Sequence, residues 1–353
     1  LNLINYNAGY GPTSNTVFGK GSATSLTSGP GNLAVGHQAL KALTTGEANI
    51  AIGSGSLKTS VDGDGNVAIG TLSLQTYEGA DGEGYNNAIG YHTGKALTTG
   101  TYNNLLGNSA GQSITTASGS VFIGGSAGRD TTTGNRNIAI GFAAMLNGTT
   151  TGDNNIAIGA YAGDAITSGQ NNVLMGPEAG GAVTTGQANI AIGFRSLYYA
   201  STQADSNVAI GYQSMFGNFS TADVDGCVAV GRDSLSGVLT SDAANTVAIG
   251  RKSLYALTSG IGNVAIGYQA LDACSTSDYN TAVGYEALSA VTTGNGMNTA
   301  IGRVAGFSTS DGEYNTYLGA SAGYYQATGD NNTYVGTHCL LYTSPSPRDG
   351  LLS

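Results

Sequence analysis

The chain has 353 residues, of which 57 are glycine and only 10% are charged, with a formal net charge of −10. That balance argues against tracking phosphate backbones or lying on anionic lipid, since both need clustered Lys and Arg. No stretch approaches 18 consecutive apolar residues, and three cysteines are too few for a disulfide framework.

Leu1 is not a methionine, so the chain is expected to open inside a longer reading frame, with 1–14 as a partial coil. From residue 15 one phrase recurs. It is written in full as "NVAIGYQAL" (263–271) and "NTAVGYEAL" (280–288), and each copy ends its apolar core on a glycine. These glycines run from Gly19 to Gly336 in nineteen copies, most of them 17 residues apart and the rest 18 to 20. A short fixed period means a solenoid, in which each coil buries its apolar face only by stacking on the next. The expected fold is therefore an all-β repeat solenoid over 15–338, parallel and β-roll or β-helix-like. It has about 17 residues per coil and 19 coils.

Within most copies the residues one and three before the glycine are apolar or β-branched, as in Val67 and Ile69, Ile190 and Ile192, or Val264 and Ile266. Alternation with a period of two marks a strand with one buried face, and this pair is expected to point inward. The arc that follows reads as a second short strand or an irregular path, with a short helical turn as the alternative. Seven of the nineteen copies place glycine where "YQAL" has leucine, and a helix tolerates that poorly. Coils close on Thr-Thr/Ser-Gly, as at Thr44–Gly46, Thr184–Gly186 and Thr292–Gly294, where glycine is expected to supply a positive φ.

Four residues before the glycine stands asparagine in sixteen of nineteen copies, with Ser120, Cys227 and Thr246 as the exceptions. Stacking predicts a structural ladder through Asn32, Asn49, Asn66, Asn137, Asn155, Asn189, Asn207, Asn263, Asn280 and Asn298, each amide bonding its neighbours at a buried corner. Two residues before the glycine stands alanine in thirteen copies, including Ala51, Ala139, Ala191, Ala265 and Ala300. Alanine is a poor strand former. If this column faces outward, a second copy pressing on it explains the small side chain. The expectation is a parallel homotrimer with the alanine columns near the shared axis. Val17, Leu105, Phe122, Leu174, Tyr317 and Tyr334 break the column.

Chemistry is sparse. "DGDGN" sets Asp62, Asp64 and Asn66 at alternate positions, as a calcium loop begins, but Val67 occupies the place of the turn glycine. The 20-residue coil around "YEGADGEGY" offers Glu78, Asp81, Glu83 and Tyr85 as candidate receptor contacts on a surface loop. Met215, Phe216 and Phe219 in the second long coil are offered on the same ground. His37, His92 and His338 read as surface substitutions, and Cys227 and Cys274 as small apolar filler. Tyr91, Phe142, Phe194, Tyr212, Tyr268 and Tyr285 directly follow a glycine, where rings either pack on the next coil or stack on sugars; packing is favoured. No nucleophile–base pair, phosphate loop or metal cluster is read, so the expectation is a protein that is not an enzyme and takes no cofactor or metal.

"CLLYTSPSPRD" (339–349) breaks the pattern with two prolines in three residues and resembles a translated transposase-type sequencing adapter; 339–353 is therefore expected to be a non-native read-through tail. "NVAIG", "NIAIG" and "NTAIG" resemble the YadA-like head repeats of trimeric autotransporter adhesins. "NTAVGYEALSAVTTG" (280–294) is more similar to the shaft repeats of phage tail fibres. The resemblance covers roughly 15–336. It implies a trimeric structural shaft on a virion that holds a receptor-binding tip towards a host surface glycan or protein, or alternatively the head of a bacterial cell-surface adhesin. Ice binding and polysaccharide cleavage by a tailspike are the rivals from other classes. Adjacent corner threonines, in place of Thr-x-Thr on a flat strand, speak against ice binding, and thinly spread acids speak against hydrolysis.

Overall fold

A β-branched residue, a small residue and another β-branched residue fit extended backbone, and eleven of the nineteen coils provide that triplet directly after the ladder position. The computed structural model of the protein describes residues 14–79, 84–200, 204–218, 224–240, 243–294 and 296–339. The chain divides into two units, Leu1–Ala188 and Asn189–Ser353. The first holds ten three-residue strands, from β1 (Thr16–Phe18) to β10 (Val173–Met175), and the second holds nine, from β11 (Ile190–Ile192) to β19 (Thr333–Val335).

Within each unit successive strands pair parallel and in strict register, like on like. Leu33, Ala34 and Val35 face Ile50, Ala51 and Ile52 in the first unit; Val247, Ala248 and Ile249 face Val264, Ala265 and Ile266 in the second. Each unit is a parallel β-solenoid, as the period predicts.

The arc holds no α-helix among the described residues; it is a run of turns. The second and fourth residues after the glycine take positive φ, as at Gln38 (59°) and Leu40 (50°), and alternate with right-handed neighbours. A helix cannot accommodate that alternation. It sends amide groups along the stacking direction instead: Gln38 N donates back to Lys20 O at 3.0 Å, and Leu40 N donates forward to Ser56 O at 3.1 Å. The strand alternates likewise, with Leu33 N on Asn49 O and Gly36 N on Phe18 O, both 2.8 Å. Backbone pairing thus continues around the coil beyond the three strand residues, satisfying groups that would be costly if buried alone.

The strand faces the opposite way from the sequence expectation. All thirteen alanines of the column are buried at 0% exposure, whereas Ile192, Ile249 and Ile266 each keep 37% and Ile301 keeps 43%. The reason is volume. The lumen is already filled from the arc by Leu40, Leu57, Leu74, Leu254, Leu271 and Leu288, all at 0%, and by Leu43, Leu97 and Ile114 near the closing corner. Only a methyl group fits on the strand's inner face. Alanine columns that have no exposed surface cannot line an axis shared between chains, so that arrangement of a trimer is excluded.

Larger inner residues occur where the arc gives way. Leu105, Phe122, Leu174 and Tyr317 are each followed six residues later by glycine (Gly111, Gly128, Gly180 and Gly323) in place of leucine. A Cβ on Gly128 would lie 2.5 Å from Phe122 Cδ2, and one on Gly180 would lie 2.7 Å from Leu174 Cδ2. Strand and arc therefore exchange volume across the lumen, within a coil or with the next one: Gly94, Gly163 and Gly306 follow alanine in their own coil, and a Cβ on them would meet Leu105, Leu174 and Tyr317 of the following coil.

The closing corners meet the expectation only in part. Gly294 takes a positive φ (97°), but Gly46 does not; there the left-handed residue is Ala48 (56°), just before the ladder. Gly46 is small because a Cβ there would meet Gly63 O at 2.5 Å.

Candidate functional site

The asparagines queue in one file within each unit. Asn49 shows the pattern: its N and Nδ2 donate to Asn32 Oδ1 (3.0 and 3.1 Å), and Nδ2 also donates to Gly63 O (2.7 Å). Its Oδ1 accepts from Asn66 N and Nδ2 at 3.0 and 3.1 Å. Asn137 and Asn155 repeat this in the first unit. Asn189 and Asn207, then Asn263, Asn280 and Asn298, repeat it in the second. Ser120 keeps a reduced version, accepting Asn137 N at 3.3 Å. The column is 0 to 8% exposed from Asn15 to Asn315, which leaves it no surface for a ligand.

Cys227 takes a ladder position, with Sγ 3.3 Å from Ala243 O, and burial pushes its thiol up to about 11 from the ordinary 9.0. Burial pushes Cys274 up to about 12. Both stay protonated and unreactive near neutrality, as apolar filler should. A thiol whose pKa is raised by folding contributes stability that is complete below its unfolded value and lost as pH rises towards the folded one. Native protein at pH 8 is expected to leave both thiols unmodified by iodoacetamide. Mass spectrometry should find label on them only after denaturation, and stability should fall from about pH 9 upward.

The candidate receptor contacts are not brought together. Asp81, Glu83 and Phe219 lie outside the described residues. Glu78 is exposed, and Tyr85, 48% exposed, stacks on Tyr102 at 5.4 Å. Met215 is a correction: it is fully buried because it fills the arc's leucine position, and it cannot meet a receptor. Phe216 packs against Tyr199 at 5.1 Å. Asp64 of the calcium-like stretch uses Oδ1 to accept Glu47 N at 2.7 Å, and Asn66 belongs to the ladder. Among the described residues no group of three or more His, Cys, Asp and Glu side chains is placed to hold a metal ion. Corner threonine hydroxyls turn along the stack, with Thr27 and Thr98 donating to the carbonyls of Thr44 and Thr115 at 2.9 Å.

What each unit presents to its surroundings is the outer strand face. The column directly before the repeat glycine is apolar on every strand, and the column beside it is apolar except at Thr16, Asn87, Asn104, Thr281, Thr299, Thr316 and Thr333; Leu106, Ile123 and Met175 in the first unit and Ile190, Ile249 and Leu318 in the second are 36 to 47% exposed. Contiguous apolar surface on this scale marks an interaction site. Beside it, where the residue after the glycine is aromatic in two successive coils, the rings stack coil on coil. Phe194 meets Tyr212 at 5.4 Å and 25°, and Tyr268 meets Tyr285 at 5.1 Å and 19°. Guanidinium groups continue the column, Arg232 at 5.3 Å over Tyr212 and Arg251 at 4.6 Å over Tyr268. These faces are turned to one another or to an arginine, as packing predicts. The sequence reading missed the outer apolar face because it placed those side chains inside. No family model, curated protein or solved structure matches the chain.

Proposed function

We propose that the protein is the shaft of an attachment fibre, similar to those of phage tails. It acts as a structural spacer on a virion, carrying a tip that meets a host surface glycan or protein. Its chains associate as a parallel homotrimer through the outer strand face. The observation that carries this reading is the pairing of similar coils by backbone and asparagine bonds, combined with an outer apolar residue directly before the glycine on every strand. Stacked coils add length without adding chemistry, and the outer face gives each chain a reason to seek another. Over the nine strands of the second unit fourteen apolar outer side chains and four threonines, each partly exposed, offer on the order of several hundred Å², approaching the ~800 Å² per partner of a standard interface.

Sedimentation of the purified chain is expected to give a multiple of the monomer mass, 35.2 kDa. Ile249→Lys with Ile266→Lys should return it towards monomer with an unchanged circular dichroism spectrum, because both side chains point away from the lumen. A wild-type chain that stays monomeric at every concentration would overturn the association. Shortening of host polysaccharide by the chain would overturn the spacer role.

A further inference from the structure

In the second unit the charges are sorted across the outer strand face. Every Lys and Arg from residue 189 to 339 (Arg195, Arg232, Arg251, Lys252 and Arg303) is the first or second residue after a repeat glycine. Two acids, Asp233 and Glu286, share those positions, so five cations minus two anions leave +3 in a chain whose net charge is −10. The other flank, two residues before the ladder position, carries Asp205, Asp225, Asp278, Glu313 and Asp330 and no cation. One flank follows the strand and the other precedes it, so the apolar columns run between a basic border and an acidic one.

Both borders are held in place. Asp225 Oδ1 accepts Asp205 N at 2.8 Å, Asp278 Oδ1 accepts Ile261 N at 2.9 Å, and Asp330 Oδ1 accepts Glu313 N at 2.9 Å. On the basic side Arg232 and Arg251 lie over Tyr212 and Tyr268, and Lys252 Nζ lies 5.1 Å over Tyr255; Arg232 Nε also pairs with Asp233 Oδ2 of its own chain at 3.3 Å. Side chains already ordered by such contacts lose less freedom on association.

We infer that these borders fix the direction in which copies of the chain pair: the outer face of the second unit takes a second copy in parallel, the basic border of one against the acidic border of the next. The inference rests on the shaft reading above. The geometry is that of rotation. Turning a copy about an axis along the stacking direction keeps the chains parallel and brings opposite borders together. Turning it about an axis across the face makes the chains antiparallel and sets basic on basic and acidic on acidic, which is penalised. A rotation without translation keeps each coil at its own height, and Arg232 and Asp225 belong to one coil, so they meet across the seam. The first unit lacks this sorting, because Lys41, Lys58, Lys95 and Arg129 stand five residues after a glycine, off the border.

The test uses the full chain with Cys339→Ser, carrying a spin label on Tyr212→Cys or, separately, on Thr337→Cys; the buried native thiols take no label. Parallel in-register pairing gives a short distance between copies at both positions. Antiparallel or staggered pairing cannot make both short, and that result overturns the inference while leaving association intact. R232E/R251E/K252E should weaken association at least about tenfold near 50 mM salt and by much less near 500 mM, where screening is short-ranged. No change at low salt also overturns the inference. A wild-type chain that never associates removes the shaft's pairing itself, which is a separate outcome.

Discussion

Asn49→Leu is expected to destabilise the first unit by about 3–5 kcal/mol, although leucine is the more hydrophobic residue and shares asparagine's branching and number of heavy atoms. The side chain is fully buried and its amide reaches in two directions. Without it, Gly63 O loses the Nδ2 donor at 2.7 Å and Asn66 N loses the Oδ1 acceptor at 3.0 Å. Each buried group left unpaired costs about 1–3 kcal/mol. Asn66 Nδ2 keeps Asp64 O at 3.0 Å, which limits the damage to two groups. Asn49→Ser should cost roughly half as much, because Ser120 shows that a hydroxyl in this column still accepts the next backbone amide. Urea unfolding followed by circular dichroism gives the size of the effect, and hydrogen exchange at the Asn66 amide gives its location. An equal loss for Ser and Leu, or none for either, would mean that backbone pairing alone holds the coils.

The period and the ladder were legible in the sequence because each rests on one residue type at one spacing. A column of asparagine four before a glycine has few other physical uses in stacked coils. The facing of the strand was harder. Alternation says that two faces differ without saying which one is inside, and the larger apolar residues usually mark the core. Here that rule fails, because the strand shares the lumen with leucines from the arc, and the coil is too short to hold two bulky layers. The sequence does contain the deciding signal. Leu105 with Gly111, Phe122 with Gly128, Leu174 with Gly180 and Tyr317 with Gly323 are exchanges of volume six residues apart, and they make sense only if both positions of each pair point into one lumen. Substitutions in the alanine column and glycines in the arc were each visible singly; their coupling places the strand.

The sorted charges were equally visible as letters. They had no meaning until the strand was turned round, because a border exists only relative to the face it borders. With isoleucine inside, Arg251 and Asp278 are scattered surface charges. With isoleucine outside, they edge the same apolar strip from opposite sides, and an array of marginal charges becomes a rule of orientation.

Gly141→Ala is expected to cost about 2–6 kcal/mol, and Gly336→Ala, in the same repeat position, only about 1–3. The two backbones are alike, with φ at +131° and +124°, a region that L side chains rarely adopt. The difference lies in what the added methyl meets. At Gly141 a Cβ would stand 2.7 Å from Gly159 O, a main-chain atom committed to the stack that cannot rotate away. At Gly336 nothing lies within 4 Å. Conformational strain is therefore common to both variants, at about 1–3 kcal/mol, and crowding against the neighbouring coil is added only at Gly141, at a further 1–3 or so. Thermal and urea unfolding of the two variants against wild type separates these contributions. Equal losses would assign the repeat glycine wholly to its φ; a loss confined to Gly141 would assign it wholly to coil spacing. A larger loss at Gly141 with a smaller one at Gly336 is the result that a coil held at strand-pairing distance requires.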